Sequence, residues 1–500
     1  MRPDRRRQLL VATVIGIAVY FVALRDAHAV PSFARKYQTS CQTCHTVYPV
    51  LNPFGEAFRR NGYRFPSWNG SEDSDAVKGA TIPLGQEEYE KTFPNSVWPD
   101  KIMDSIPLSV MFNGNVPINL PGSEAKDAAG NVFTWSGIEA EVHLFGAGAF
   151  SDTLTYMTQL TFADDSTFDI ETAYLLWNDI VGPNHWVNLW VGRLWAPQLT
   201  SFGLHSDYLS DTVMPAVSVS GLYNPSASLT LGQGHNDGAE LNGIIGHRFD
   251  YAVGWVASSN ATGLTLPNAQ DAYVHVGVKS GGVALDGEGK YGPNVPDAMK
   301  PWAEKSITID LFAYRGLQRL DNGTGTMTGS VTPVPQDDSF NALGAVIHGQ
   351  LDSLSIMLGE QLERHGSPYP GTGATTMGGA TANGMPDFTS ATAIVGYGEI
   401  NYVVWPWFVP GVRAEYTRAT LEGSSNAGST AASLLRVIPG IAMLARPNIK
   451  VVLTGDFERA YGLPPVGSWT PAGGLAVPPG PGTASKFEAE QINATVAVAY

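Results

Sequence analysis

The sequence predicts an all-β fold: a transmembrane β-barrel of about sixteen strands behind a small N-terminal helical module. Three observations predict it. From about residue 106 onward, segments of roughly ten residues alternate polar and apolar side chains. Short turns between these segments alternate with long loops rich in Gly, Ser, Thr and Asn. After residue 29 no apolar run approaches the ~20 residues a helix needs to cross a bilayer, although only 15% of the chain is charged and it holds 55 Gly. The longest candidate, "ASLLRVIPGIAMLA", is broken by Arg436 and Pro439.

The chain opens with "MRPDRRRQLLVATVIGIAVYFVALRDAHA". A basic start (Arg2, Arg5, Arg6, Arg7), an apolar run from Leu9 to Leu24, and Ala27 and Ala29 around His28 are the order of a secretory signal peptide over 1–29. A permanent membrane anchor is the alternative, but the run is short and the Ala-x-Ala site argues for removal. The mature chain then begins near Val30, in an oxidising envelope compartment.

The stretch "TSCQTCHTVYP" contains the only two cysteines. Thiol–disulfide exchange, zinc binding and covalent haem attachment all use a Cys-x-x-Cys pair. Zinc needs about four ligands, and the next histidine after His45 is His143. A redox dithiol fits a βαβ pattern, which this region lacks. In Cys-x-x-Cys-His the two sulfurs form thioethers to one haem c and the imidazole ligates its iron, so Cys41, Cys44 and His45 each have a role. A structural disulfide or redox pair stays open. After His45, Asn52 is set as an N-cap, Pro53 as the first helical residue and Gly62 as the stop. Phe54 and Phe58 then share a face suited to a haem edge, and Arg59 and Arg60 point elsewhere, toward haem propionates or solvent. This gives a monohaem cytochrome c module over 30–65 and a polar, Pro-rich linker over 66–105. So small a module relies on its haem and on docking against the barrel. Met103, at the end of the linker, is a candidate distal ligand to the haem iron.

The barrel occupies 106–500. In "TLTYMTQLTF", Leu154, Tyr156, Leu160 and Phe162 oppose Thr155, Met157, Gln159 and Thr161. "FDIETAYL" sets Phe168, Ile170 and Tyr174 against Asp169 and Glu171. "LSIMLGEQL" sets Leu354, Ile356, Leu358 and Leu362 against Ser355, Met357, Gln361 and Glu363. "NIKVVLTGDFE" sets Ile449, Val451, Leu453 and Phe457 against Lys450, Thr454, Asp456 and Glu458. The short turns place both chain ends on the periplasmic side. One connection, 281–304, is long where a short turn is expected, and 196–237 has room for two more strands, giving eighteen. Trp177, Trp186, Trp190, Trp195, Trp405 and Trp407 suit interfacial girdles. The last strand, "QINATVAVAY", ends on Tyr500 like the C-terminal signal read by the barrel-assembly machinery.

A net charge of −16 excludes nucleic acid as a partner. No Ser/His/Asp or paired-carboxylate constellation stands out for hydrolysis. Glu139, Glu141, Asp169, Glu171, Asp456 and Glu458 on the lumen face could admit or hold divalent cations, or simply hydrate a pore. Met157, Met357, His143 and His348 are further lumen candidates for the iron.

The stretch "PSFARKYQTSCQTCHTVYPVLNPFGEAFRRNGY", Pro31 to Tyr63, ahead of a porin-like barrel, resembles the fused outer-membrane cytochrome–porins of iron-oxidising bacteria. The resemblance implies a haem that plugs or lines a barrel surrounded by outer-membrane lipid. It implies electrons passing from extracellular Fe(II) to a periplasmic cytochrome or other carrier, as an iron:cytochrome c oxidoreductase would pass them. A conduit running outward to an extracellular acceptor, and a diffusion porin with a structural or regulatory haem, are the alternatives.

Overall fold

The structure, a computed structural model, describes Phe33 and residues 41–48, 50–64, 108–120, 138–151, 153–163, 168–181, 185–195, 235–257, 271–287, 300, 302–320, 336–366, 388–423, 429–446, 448–461 and 486–499. The signal peptide, the linker with Met103, and Tyr500 lie outside these residues.

Alternation becomes strands. A short hairpin, β1 (His45–Val47) and β2 (Val50–Leu51), leads into α1 (Pro53–Arg60). Sixteen strands follow: β3 (Leu108–Asn119), β4 (Glu139–Ala149), β5 (Leu154–Ala163), β6 (Phe168–Val181), β7 (Val187–Trp195), β8 (His235–Ile245), β9 (Phe249–Val256) and β10 (Asp271–Gly281). The ring continues with β11 (Glu304–Leu320), β12 (Gln336–Asp352), β13 (Leu354–His365), β14 (Phe388–Tyr402), β15 (Phe408–Gly423), β16 (Ser429–Arg446), β17 (Ile449–Tyr461) and β18 (Lys486–Ala499). Each pairs antiparallel with its neighbours, and β18 pairs with β3 from Gln491↔Asn119 to Ala499↔Met111, which closes the barrel. Because β7 pairs directly with β8, the 196–237 segment adds no strand to the ring. Among the described residues the closed ring counts sixteen strands, not eighteen.

Closure satisfies the backbone donors and acceptors along the strands and leaves two faces. On β13, Ile356, Leu358 and Leu362 are exposed outward, while Met357, Gln361 and Glu363 are buried inward. On β17, Leu453 and Phe457 face out and Lys450, Thr454, Asp456 and Glu458 face in. An apolar exterior around a polar interior is the arrangement of a transmembrane barrel. Inside, aromatic rings pack over facing glycines. A Cβ on Gly316, Gly344 or Gly359 would come within 2.2 Å of Phe340, Phe312 or Tyr397 respectively. Each of these glycines is paired in register with its aromatic, so the glycine content buys lumen space for rings.

Two expectations fail on neighbouring strands, one of them at an irregularity. A bulge at Glu171 shifts β6 between the pairs Leu160↔Ile170 and Gln159↔Thr172. The inserted residue reverses the face of everything after it. Phe168 and Ile170 face outward as expected, but Tyr174 turns into the lumen and stacks on Trp190 of β7, with centroids 5.4 Å apart. Trp190 is therefore a lumen residue, not part of a girdle. Trp177, Trp186, Trp405 and Trp407 do face outward near the short turns, and the last two stack on each other.

The inside–outside assignment predicts that Leu311→Arg, on the outward face at mid-β11, destabilises the barrel by ~2–4 kcal/mol. Gln350→Arg, on the lumen face, changes stability little. Equilibrium unfolding in lipid vesicles measures both.

Candidate functional site

The residues from Cys41 to Arg64 are held in the short-turn mouth of the barrel. Asn52 organises their start. Its Oδ1 accepts from Phe54 N and Gly55 N at 3.1 and 3.0 Å, capping α1. Its Nδ2 donates to the carbonyls of Gln42 and Thr43 at 2.9 and 3.0 Å, and its backbone N–H donates to Cys44 O at 2.9 Å. One side chain thus ties the Cys-x-x-Cys-His loop to the helix that follows it. Gly55 permits the contact: a Cβ there would lie 2.1 Å from Cys44 O.

The end of α1 is equally determined. Tyr63 N–H donates to Phe58 O and Gly62 N–H to Arg59 O, both at 3.0 Å, with Gly62 at φ +67° and the Tyr63 ring against Phe58. This is a Schellman stop. A Cβ on Gly62 would also strike Asn178 of β6. The expected helix and both its signals are therefore observed.

Docking uses both sides of the mouth. On one side Val47 and Tyr48 join an apolar cluster with Trp302, Val409 and Ala497, and the Tyr48 hydroxyl donates to the carbonyl of Ala497. Lys450 lies over the Tyr48 ring at 5.3 Å. On the other side Arg60 pairs with Asp250 of β9, and Arg64 with Asp179 at 2.9 Å. The Tyr63 and Tyr174 hydroxyls are 3.1 Å apart. The start of the long 281–304 connection turns inward here. Val283, Ala284, Leu285 and Asp286 are buried, and Asn61 donates to Asp286 O at 2.7 Å. Asp286 thereby forms part of the seat of the module. Arg59 and Arg60 are consequently buried rather than solvated. Burial alone would raise the Glu56 carboxyl, but the Arg59 and Arg60 guanidiniums outweigh it and hold that carboxyl below the usual carboxylate range. Its contribution is present above the ordinary carboxylate pKa and is lost as the pH falls through the depressed folded value.

Cys41 and Thr43 bound a 3₁₀ turn, and both cysteines are free thiols. Two thiols and an imidazole at this spacing, on a loop pinned by Asn52 and packed on Gly55, form a donor set that fits covalent haem c. Burial raises the Cys41 thiol, and burial together with the neighbouring Cys41 pushes Cys44 up to about 12. A cavity of about 120 Å³ lies between the β1–β2 hairpin and the barrel wall, lined by Thr46, Val50, Leu51, His348 and Met357 among others. Met357 and His348 are thus brought beside the module.

The lumen carboxylates expected from sequence are largely engaged. Asp456 and Glu458 are bound to the buried Arg436, and Asp169 lies 3.6 Å from Arg193. Glu171 accepts from Gln159 and Thr161, and His143 sits 3.3 Å from Glu141. Glu139 accepts from Asn115 at 3.0 Å. A group that sequence reading missed, Asp250, His275 and Asp310, gathers three potential ligands from β9, β10 and β11. Thirty-five residues separate His275 from Asp310, so only the strand register reveals it.

The sequence matches no protein-family model and no curated protein. Several solved barrels are similar in overall shape. OmpT, an outer membrane protein of Vibrio cholerae, aligns at TM-score 0.44 and 11% identity, covering 79% of this chain and 97% of its own. An anion-selective porin from Comamonas acidovorans aligns at TM-score 0.45 and 13% identity over 79% and 98%. Salmonella typhi OmpF, in complex with daunomycin, aligns at 0.40 and 8% over the same shares. The barrel of this chain rests on its own strand pairings.

The raised thiols predict slow chemistry in the folded, haem-free protein. At pH 8, alkylation of Cys44 by iodoacetamide should be at least about tenfold slower than in the denatured chain, because the thiolate is the reactive form. Mass spectrometry of the quenched reaction reads the rate.

Proposed function

We propose that this protein is an electron conduit of the bacterial outer membrane, with one haem c bound covalently in the short-turn mouth of the barrel. The observation that carries the reading is the position of the Cys-x-x-Cys-His loop. The chain's only two cysteines lie on a segment fastened inside a membrane-spanning barrel. Cys41 and Cys44 would carry the haem through thioethers, and His45 would ligate its iron. When bound, the haem supplies a one-electron couple. The chain's own residues do the rest. Asn52 fixes the loop to α1, and Arg60, Arg64 and Tyr48 hold it across the mouth. The hairpin and residues 283–286 fill space that would otherwise pass solutes. Met357 and His348, beside the hairpin, and Met103 would be candidates for a further protein ligand to the iron. Following the resemblance, the donor would be extracellular Fe(II) and the acceptor a periplasmic cytochrome or other carrier.

The second reading, a diffusion porin, is supported by the polar lumen of a sixteen-strand barrel. The two separate on measurement. Protein produced with haem-maturation machinery should keep its haem stain on a denaturing gel, and Cys41→Ser or Cys44→Ser should reduce or abolish it. Ferrous iron should reduce the purified oxidised protein, and His45→Ala should stop this while the barrel remains heat-modifiable. Haem that stays oxidised under excess ferrous iron across a wide pH range overturns the inward reading and leaves the outward conduit. Protein that acquires no haem and passes sugars rapidly into vesicles is a porin.

A further inference from the structure

A buried group in the lumen has no part in the conduit as described. Strand register sets Asp250 of β9 and Asp310 of β11 on either side of Gly277 of β10. His275 stands two residues away on the same face. Its Nε2 is 3.1 Å from Asp310 Oδ1, and its Nδ1 is 4.0 Å from Asp250 Oδ2. Each of the three residues is 2% exposed. One donor atom from each lies within 4.8 Å of the other two.

Gly277 makes the convergence possible. A Cβ at that position would be 2.2 Å from Asp250 Oδ1 and 2.6 Å from Asp310 Oδ1. The two oxygens therefore lean into the space a side chain would fill. Asp250 Oδ2 is held by Arg60, whereas Asp250 Oδ1 is buried with no hydrogen-bond partner. An unsatisfied oxygen on a buried carboxylate is costly. Arg60 is hydrogen-bonded to only one of the four carboxylate oxygens, and a metal ion bound between the carboxylates would supply the partner that Asp250 Oδ1 lacks.

We infer that Asp250, His275 and Asp310 form a binding site for a divalent first-row transition-metal ion in the lumen, above Gly277. Two carboxylates and one imidazole suit Fe²⁺, Co²⁺, Mn²⁺ or Zn²⁺ better than Ca²⁺, which takes six to eight oxygens. Three protein ligands leave positions for water. Asp310 and Arg60 also line the cavity beside the hairpin. The site does not require the haem. The competing account is two ordinary pairs, Arg60–Asp250 and His275–Asp310, that only fasten the module.

Titration calorimetry of the full-length protein in detergent, after chelator treatment, tests it with Co²⁺ as the probe. One saturable equivalent is expected, and cobalt X-ray absorption should show a nitrogen and oxygen shell with imidazole scattering. Asp310→Asn, His275→Ala and Gly277→Ala should each weaken binding at least about tenfold. Glu171→Gln, in the separate group around His143, should leave it unchanged. Heat-modifiable migration confirms that each variant is folded, and Asp310→Asn keeps shape where Gly277→Ala disturbs the strand. The inference is overturned if folded wild-type protein takes up no saturable cobalt, or if the Asp310 and His275 variants bind as tightly as wild type. A sulfur shell around cobalt would place the ion at Cys41 and Cys44 and overturn it equally.

Discussion

Pairing of β18 with β3 is the constraint on which the rest of the molecule depends. Hydrocarbon offers no hydrogen bonds to a backbone, so a sheet that crosses it must have no free edge. Once the edge is removed, every strand residue belongs to either the lipid face or the lumen face. The lipid face is filled by residues such as Leu311, Leu358 and Leu453. The lumen face is then the one place in the membrane's thickness where Arg436, Asp456 and Glu458 can sit and find each other. Closure also creates a mouth, and the segment around Cys41 and Cys44 is built to occupy it.

That occupation is electrostatic on one side and apolar on the other. Val47 and Tyr48 enter a cluster at the ends of β14 to β18, while Arg60 and Arg64 reach carboxylates near the turns of β8–β9 and β6–β7. β9 and β18 stand on nearly opposite sides of the ring, so the short segment is held from both. Removing one partner from a buried ion pair such as Arg60–Asp250 leaves an uncompensated charge, a loss of ~3–5 kcal/mol. A segment too small to have a core of its own is thereby given a fixed position by the barrel wall.

Much of this was legible in the sequence, and the exceptions share a cause. Strand faces followed from period-two alternation, as in "LSIMLGEQL", and α1 followed from Asn52, Pro53 and Gly62, because those signals are local. Tyr174 was misplaced because the bulge at Glu171 is a matter of register, and nothing in "FDIETAYL" marks it. Trp190 was misplaced because its lumen facing follows from its pairing with Leu176 and Glu240 on neighbouring strands. The solvated alternative for Arg59 and Arg60 failed because both are buried, Arg59 on Glu56 within its own helix and Arg60 on Asp250, 190 positions away. The long 281–304 connection looked like a defect in the turn pattern, and residues 283–286 at its start are buried against the module. Asp250, His275 and Asp310 were invisible for the same reason: they meet only when three strands are in register.

Under the proposed function, the Cys41–His45 segment would connect the two sides of the membrane by electrons rather than by an open pore. The direct measurement uses vesicles that enclose an oxidised soluble cytochrome c, carry this protein with its haem, and meet ferrous iron bound to beads too large for any lumen. Reduction of the enclosed cytochrome, lost with Cys41→Ser or His45→Ala, is the predicted result. An enclosed cytochrome that stays oxidised while small solutes cross freely would contradict the account.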